Sequence, residues 1–192
     1  PENYGRRIVG AALISSAAQG VSRSPLGEIL QNPALEAVRF AARYSPKLVH
    51  RTRGAVRSML RPILNTASFG DARISRSVAT FNETMIHATP VATLVEFLHA
   101  LEVHDETAAL PVLARIPTLI ACGDRDLLTP VRNSEEMAAA LPDSLLVIVP
   151  GAAHLVQMER PEVINDALVR LVERATPSRL VAFARRLRDR ID

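Results

Sequence analysis

The feature that most constrains the fold of this chain is a regular alternation that begins after Pro111. "IPTLIACG" is a compact apolar run that ends in glycine. "NSEEMAAAL" reads as a helix, with Asn133 or Ser134 as its cap and acids in its first turn. "SLLVIVPG" is a second apolar run. "MERPEVINDALVRLVERA" reads as a second helix, with Pro161 in its first turn and Val163, Ile164, Leu168, Leu171 and Val172 as its apolar face. Strand, helix, strand, helix builds a parallel sheet with helical crossovers, because parallel neighbours need a long return path between them. Near the start, "RRIVGAALISSAA" (Arg6 to Ala18) has the character of another buried parallel strand. "PSRLVAFARRLRDRID" predicts a closing helix. Leu180, Phe183, Ala184, Leu187 and Ile191 form its stripe, with five arginines around it.

Between these regions the pattern changes. From Gly20 to Leu110 no stretch alternates as a strand does. Helical periodicity is interrupted by Pro25, Pro33, Pro46, Pro62 and Pro90, which predicts about four helices with irregular joints. "LVEFLHALEV" puts Leu94, Phe97, Leu98 and Leu101 on one helical face, and "TASFGDARIS" around Gly70 reads as a loop. The expected organisation is core over residues 1–19, a helical insertion over 20–110, and core again over 111–192.

Composition narrows the class. The 192 residues are 48% hydrophobic and 22% charged, which suits one globular domain with a sizeable core. The apolar run from Ile8 to Leu13 is far short of the roughly 20 residues a membrane span needs. The chain opens on Pro1 rather than Met and its N-terminal part is expected to be missing, so a secretory signal is not assessable; the expected location is the cytoplasm or the membrane periphery. The single cysteine, Cys122, forbids an internal disulfide and reads as a small core residue. Net charge is only +3, and Lys47 is the only lysine. Arginines cluster at Arg51, Arg53, Arg57, Arg61, Arg73 and Arg76, and again in the closing helix. No aromatic interleaving accompanies them, so the expectation is a solvated face and no nucleic-acid partner. The secondary reading is peripheral contact of the closing helix with anionic lipid head groups.

Ligands of parallel sheets bind beyond the carboxyl ends of the strands. "GDRD" and "PGAAH" both begin where a strand ends, so Asp124, Asp126 and His154 should share one rim of the sheet. A carboxylate that holds one imidazole nitrogen fixes the tautomer and stabilises the imidazolium, while the other nitrogen takes a proton from a nucleophile. His87, His99 and His104 do not form a metal site in this reading. His99 and His104 are five residues apart and point to different helix faces. No cofactor or metal is expected, and His104–Asp105 reads as a helix end.

The stretch "PTLIACGDRDLLTP…PDSLLVIVPGAAHLVQMERPEVINDALVRLV" resembles the C-terminal part of an α/β-hydrolase fold protein. Gly123, Asp126 and Pro130 match the family's Gly-x-x-Asp-x-x-x-Pro after strand seven. Gly151 and His154 match its Gly-x-x-His after strand eight, and Glu159 and Pro161 match the phrase that follows. The resemblance implies strand six at the start, a helical cap over 20–110, and Asp126 and His154 as acid and histidine of a Ser-His-Asp triad. Asp124 is then left to bond amides of the turn or to pair with Arg125 or Arg132. The family's nucleophile lies in a Gly-x-Ser-x-Gly turn, which this sequence lacks, so the serine and the oxyanion loop are expected upstream of residue 1. Ser15, Ser16, Ser22 and Ser24 lie near the rim but in no glycine-flanked turn.

The implied activity is that of a serine hydrolase of the carboxylesterase or lipase type. Its implied substrate is a small hydrophobic ester or a lipid-like molecule. Phe69, Phe81, Met85, Leu94, Phe97 and Leu98 would line the acyl pocket. Other chemistries share the same half-site, including those of epoxide hydrolases, haloalkane dehalogenases, thioesterases, cofactor-free haloperoxidases and carbon–carbon bond hydrolases. Tyr44 keeps the epoxide reading open. A non-enzymatic reading also stands: an inactive piece that pairs with a missing N-terminal half, or self-associates through the exposed edge of its first strand.

Overall fold

Among the described residues three strands form one sheet in the order β1-β2-β3. The computed structural model describes residues 8–24, 68–70, 74–90 and 100–176, together with Phe40, Tyr44, Gly54, Thr93 and Phe97. β1 (Ala11–Ile14) pairs parallel with β2 (Thr118–Gly123), from Ala11 opposite Thr118 to Ile14 opposite Ala121. β2 pairs parallel with β3 (Leu145–Val149), from Leu119 opposite Leu145 to Gly123 opposite Val149. The fold is α/β, a parallel sheet flanked by helices, as the alternation requires.

β2 is the middle strand, and all six of its residues are buried. Its two faces feed two cores, as the period of two in a strand demands. Leu119 and Ala121 pack with Val149, Ala152, Val156, Ile164, Ala167 and Leu171. Ile120 packs with Ala18, Leu110, Met137 and Leu141. A continuous apolar run suits this position, since a strand covered on both sides has no wet face.

Among the described residues the α-helices are α1 (Arg76–Ala88), α2 (Leu110–Leu113), α3 (Val131–Ala140), α4 (Val156–Glu159) and α5 (Pro161–Ala175). α3 carries Met137 into one core, and α5 carries Ile164, Ala167 and Leu171 into the other. Pro161 opens α5, where its missing N–H costs nothing. Ser75 caps α1, its hydroxyl accepting from the Val78 amide at 3.3 Å.

Several expectations are corrected in detail. The first strand is four residues long rather than running from Arg6 to Ala18. It ends at Ser15, which turns the chain with φ 45 while its amide still donates to the Ala121 carbonyl at 2.7 Å. α3 starts at Val131, directly after Pro130, with no side-chain cap. Asn133 and Ser134 are therefore buried inside the helix instead of capping it. The Asn133 amide is drawn to a distant acceptor, donating to the Gln19 carbonyl at 2.7 Å. In α5, Val163 and Val172 are exposed, because the buried stripe through Ile164, Ala167 and Leu171 is narrower than the apolar pattern.

The chain leaves the sheet after β1 and makes a long excursion before β2. The two ends of that excursion meet. The Glu106 amide donates to the Ala18 carbonyl at 2.7 Å, Gln19 and Asp105 form an antiparallel bridge, and His104 Nε2 donates to the Ala17 carbonyl at 3.1 Å. Asp105 then accepts from the Thr107 amide at 3.1 Å. Hydrogen bonds from the Thr107 hydroxyl and amide hold the Asp105 carboxylate below its ordinary range. Leu94, Leu98, His99, the arginines from Arg51 to Arg61, Arg73, and the closing helix with its stripe all lie outside the described residues. No described helix is long and apolar enough to cross a membrane.

Candidate active site

The site forms where β2 and β3 end side by side. Gly123 is the last residue of β2, and the chain after β3 passes directly over it. A Cβ on Gly123 would lie 2.1 Å from the Ala152 carbonyl oxygen, so only glycine fits. This close approach lets the two loops bond to each other. The Asp124 amide donates to the Val149 carbonyl at 3.1 Å, and the Arg125 amide to the Ala152 carbonyl at 2.9 Å. Asp124 Oδ1 accepts the Gly151 amide at 2.7 Å, across the gap rather than within its own turn. Gly151 has φ 72, a left-handed conformation that glycine adopts without a Cβ penalty. Arg132 pairs with Glu136 along α3 at 3.4 Å.

Asp126 is 3% exposed, and it is held at both oxygens. Oδ1 accepts the amides of Leu128 and Thr129, each at 2.8 Å. Oδ2 accepts the Thr129 hydroxyl at 2.8 Å and lies 3.0 Å from His154 Nδ1. A carboxylate can only accept, so Nδ1 carries the proton and Nε2 is the basic nitrogen. The His154 side chain keeps 28% of its surface exposed, whereas the Asp126 side chain has none. The pair thus has a buried, fully bonded acid and a histidine that keeps part of its side chain exposed.

The other residues fall as follows. Cys122 is fully buried one position before Gly123, and burial pushes its thiol up, against a role as a thiolate. Phe81, Met85 and Phe97 are exposed, and Leu94 and Leu98 lie outside the described residues. Phe69 is partly buried. Among the described residues no three His, Cys, Asp or Glu side chains converge as a metal site. Two residues at the site were given no role by the sequence reading. Thr129 has a local signal, a threonine three residues after an aspartate in a turn. Glu159 is 6% exposed and bonds the loop that carries His154, with its Oε1 2.7 Å from the Ala153 amide.

This geometry has a family. The alpha/beta hydrolase fold profile matches residues 14–161, and the chain belongs to that family. A putative carbamate hydrolase RutD of Escherichia coli is 40% identical over 55 residues, which cover 29% of this chain and 21% of that protein. A polyketide synthase, ThaQ, of Burkholderia thailandensis is 30% identical over 86 residues, covering 45% of this chain and 4% of that protein. Among solved structures, a thermophilic esterase superposes with a TM-score of 0.59 at 19% identity, covering 91% of this chain and 60% of that one. An enol-lactonase of Burkholderia xenovorans superposes with a TM-score of 0.55 at 17% identity, covering 87% of this chain and 57% of that one. The structural likenesses establish the fold alone. The chain spans less than two thirds of each of these proteins.

Proposed function

We propose that this chain supplies the acid and the base of a serine hydrolase that acts on carboxylic esters, with the serine contributed by sequence preceding residue 1. The observation that carries this reading is the 3.0 Å contact between His154 Nδ1 and the buried Asp126 Oδ2. In the proposed cycle the serine hydroxyl gives its proton to His154 Nε2 as its oxygen bonds to the ester carbonyl carbon. Asp126 stays ionised and stabilises the imidazolium. The tetrahedral adduct collapses, the carbon–alkoxy bond breaks, and the leaving alcohol takes the proton from Nε2. Water then repeats the sequence and releases the acid and the serine. The substrate side is expected to be small and hydrophobic. The same relay also serves carbamates, the substrate class named for the Escherichia coli relative.

The test is hydrolysis of p-nitrophenyl acyl esters and carbamates by the full protein that carries this chain. His154→Ala and Asp126→Asn should each lower kcat/KM on the preferred substrate by about a thousandfold or more. Activity within tenfold of wild type in either folded variant would overturn the reading.

A further inference from the structure

His154 is fixed by its neighbours on both sides. The Ala153 amide donates to Glu159 Oε1 at 2.7 Å, and the Leu155 amide donates to the Ser68 carbonyl at 2.9 Å. The other oxygen of the same carboxylate, Glu159 Oε2, accepts the Gly70 amide at 2.9 Å. One buried carboxylate therefore ties the histidine loop to residues 68–70, which belong to the long excursion between β1 and β2. The two segments also touch without a gap. A Cβ on Gly70 would lie 2.4 Å from the Gly151 carbonyl oxygen and 3.1 Å from the Ala153 nitrogen. On its far side the segment is held to α1, where Asn82 Nδ2 donates to Ser68 Oγ at 3.3 Å.

A carboxylate in this place satisfies two amide donors from distant parts of the chain. Glutamine in its place would satisfy one and turn its own N–H toward the other. We propose that Glu159 is a positioning residue: by clamping residues 68–70 onto the loop of His154, it makes the alignment of His154 with Asp126 depend on how the excursion is seated. The inference rests on the reading of His154 as the proton carrier. Its consequence is that a change in the seating of residues 68–70 reaches the imidazole through Glu159.

The experiment uses the full protein with Glu159→Gln and Gly70→Ala. It reads kcat and KM on an acyl ester across pH, and the NMR resonances of the His154 imidazole, including its Nδ1 proton. Glu159→Gln should lower kcat roughly tenfold or more with KM changed by less than about threefold, since small misalignments of a proton carrier cost rate rather than binding. The Nδ1 proton resonance should shift or broaden with it. Gly70→Ala keeps the carboxylate but denies the segment its seat, and should give the same pattern. Glu159→Gln with wild-type kcat and wild-type His154 resonances overturns the proposal. Should Glu159→Gln not fold, Gly70→Ala decides alone, by the same two readouts. If His154→Ala leaves hydrolysis intact, the proton-carrier reading falls, while the His154 resonances still decide the coupling.

Discussion

Asp126 is used at every position where a carboxylate can be gripped, and Thr129 supplies two of its four bonds. Thr129→Val keeps the shape and the amide but removes the hydroxyl donor on the oxygen that faces His154. A hydrogen bond to a charged group contributes about 1.5–3 kcal/mol, so kcat/KM should fall by roughly tenfold or more in steady-state assays. Cys122 gives a second prediction at this scale. Burial raises its pKa in the folded state, so the folded chain holds the thiol proton more tightly than the unfolded chain does. That contribution to stability is full below the ordinary thiol pKa and is lost as pH rises through the folded value. Urea unfolding of wild type and Cys122→Ala should therefore diverge above about pH 8.5, with wild type losing stability faster. The meeting of Asp126 and His154 at one rim was legible in the sequence because glycine, acid and proline, and glycine and histidine, fall at set spacings after the strands. Glu159 was legible only as part of a phrase. Its role depends on Gly70, and no local pattern shows which amide a carboxylate will reach 89 residues away.

Among the elements, the β2 run was the plainest signal, and its complete burial explains why it has no alternation. The boundaries were less plain. Asn133 has the composition of a cap, but its side chain meets the Gln19 carbonyl, and that partner appears only when β1 and α3 are packed together. Ser15 likewise ends β1 early through a backbone turn that the neighbouring Ile14 does not announce. A tight joint between elements is Gly123 under the loop after β3. Gly123→Ala would force a methyl group against the Ala152 carbonyl, which neither strand end can yield without breaking the bonds between the loops. A loss of about 1–3 kcal/mol is expected in denaturant unfolding, with the Asp126–His154 contact loosened as well. Wild-type stability in this variant would mean that the loops are not packed as described.

At the scale of the whole molecule, the excursion begins and ends at one place, where Ala17, Ala18 and Gln19 meet His104, Asp105 and Glu106. That closure brings the two ends of the excursion together beside the sheet. The fold class was legible because alternation of strand and helix admits few topologies. Of the proposed chemistry only the acid and the histidine lie in this chain, whose matches span 60% of the thermophilic esterase and 21% of the carbamate hydrolase relative. β1 has no partner on its outer side among the described residues. We propose that residues 1–192 alone associate through this edge, and light scattering after size exclusion should show dimers or larger species. A clean monomer would contradict this.

The central claim is that Asp126 and His154 activate a serine. The most direct measurement is the denaturing intact mass of the full protein after treatment with a fluorophosphonate probe, in wild type and in His154→Ala. The account predicts one adduct on a serine preceding residue 1 in wild type, and labelling slowed by at least a hundredfold in the variant. No adduct in wild type, or equal labelling in both, would contradict it.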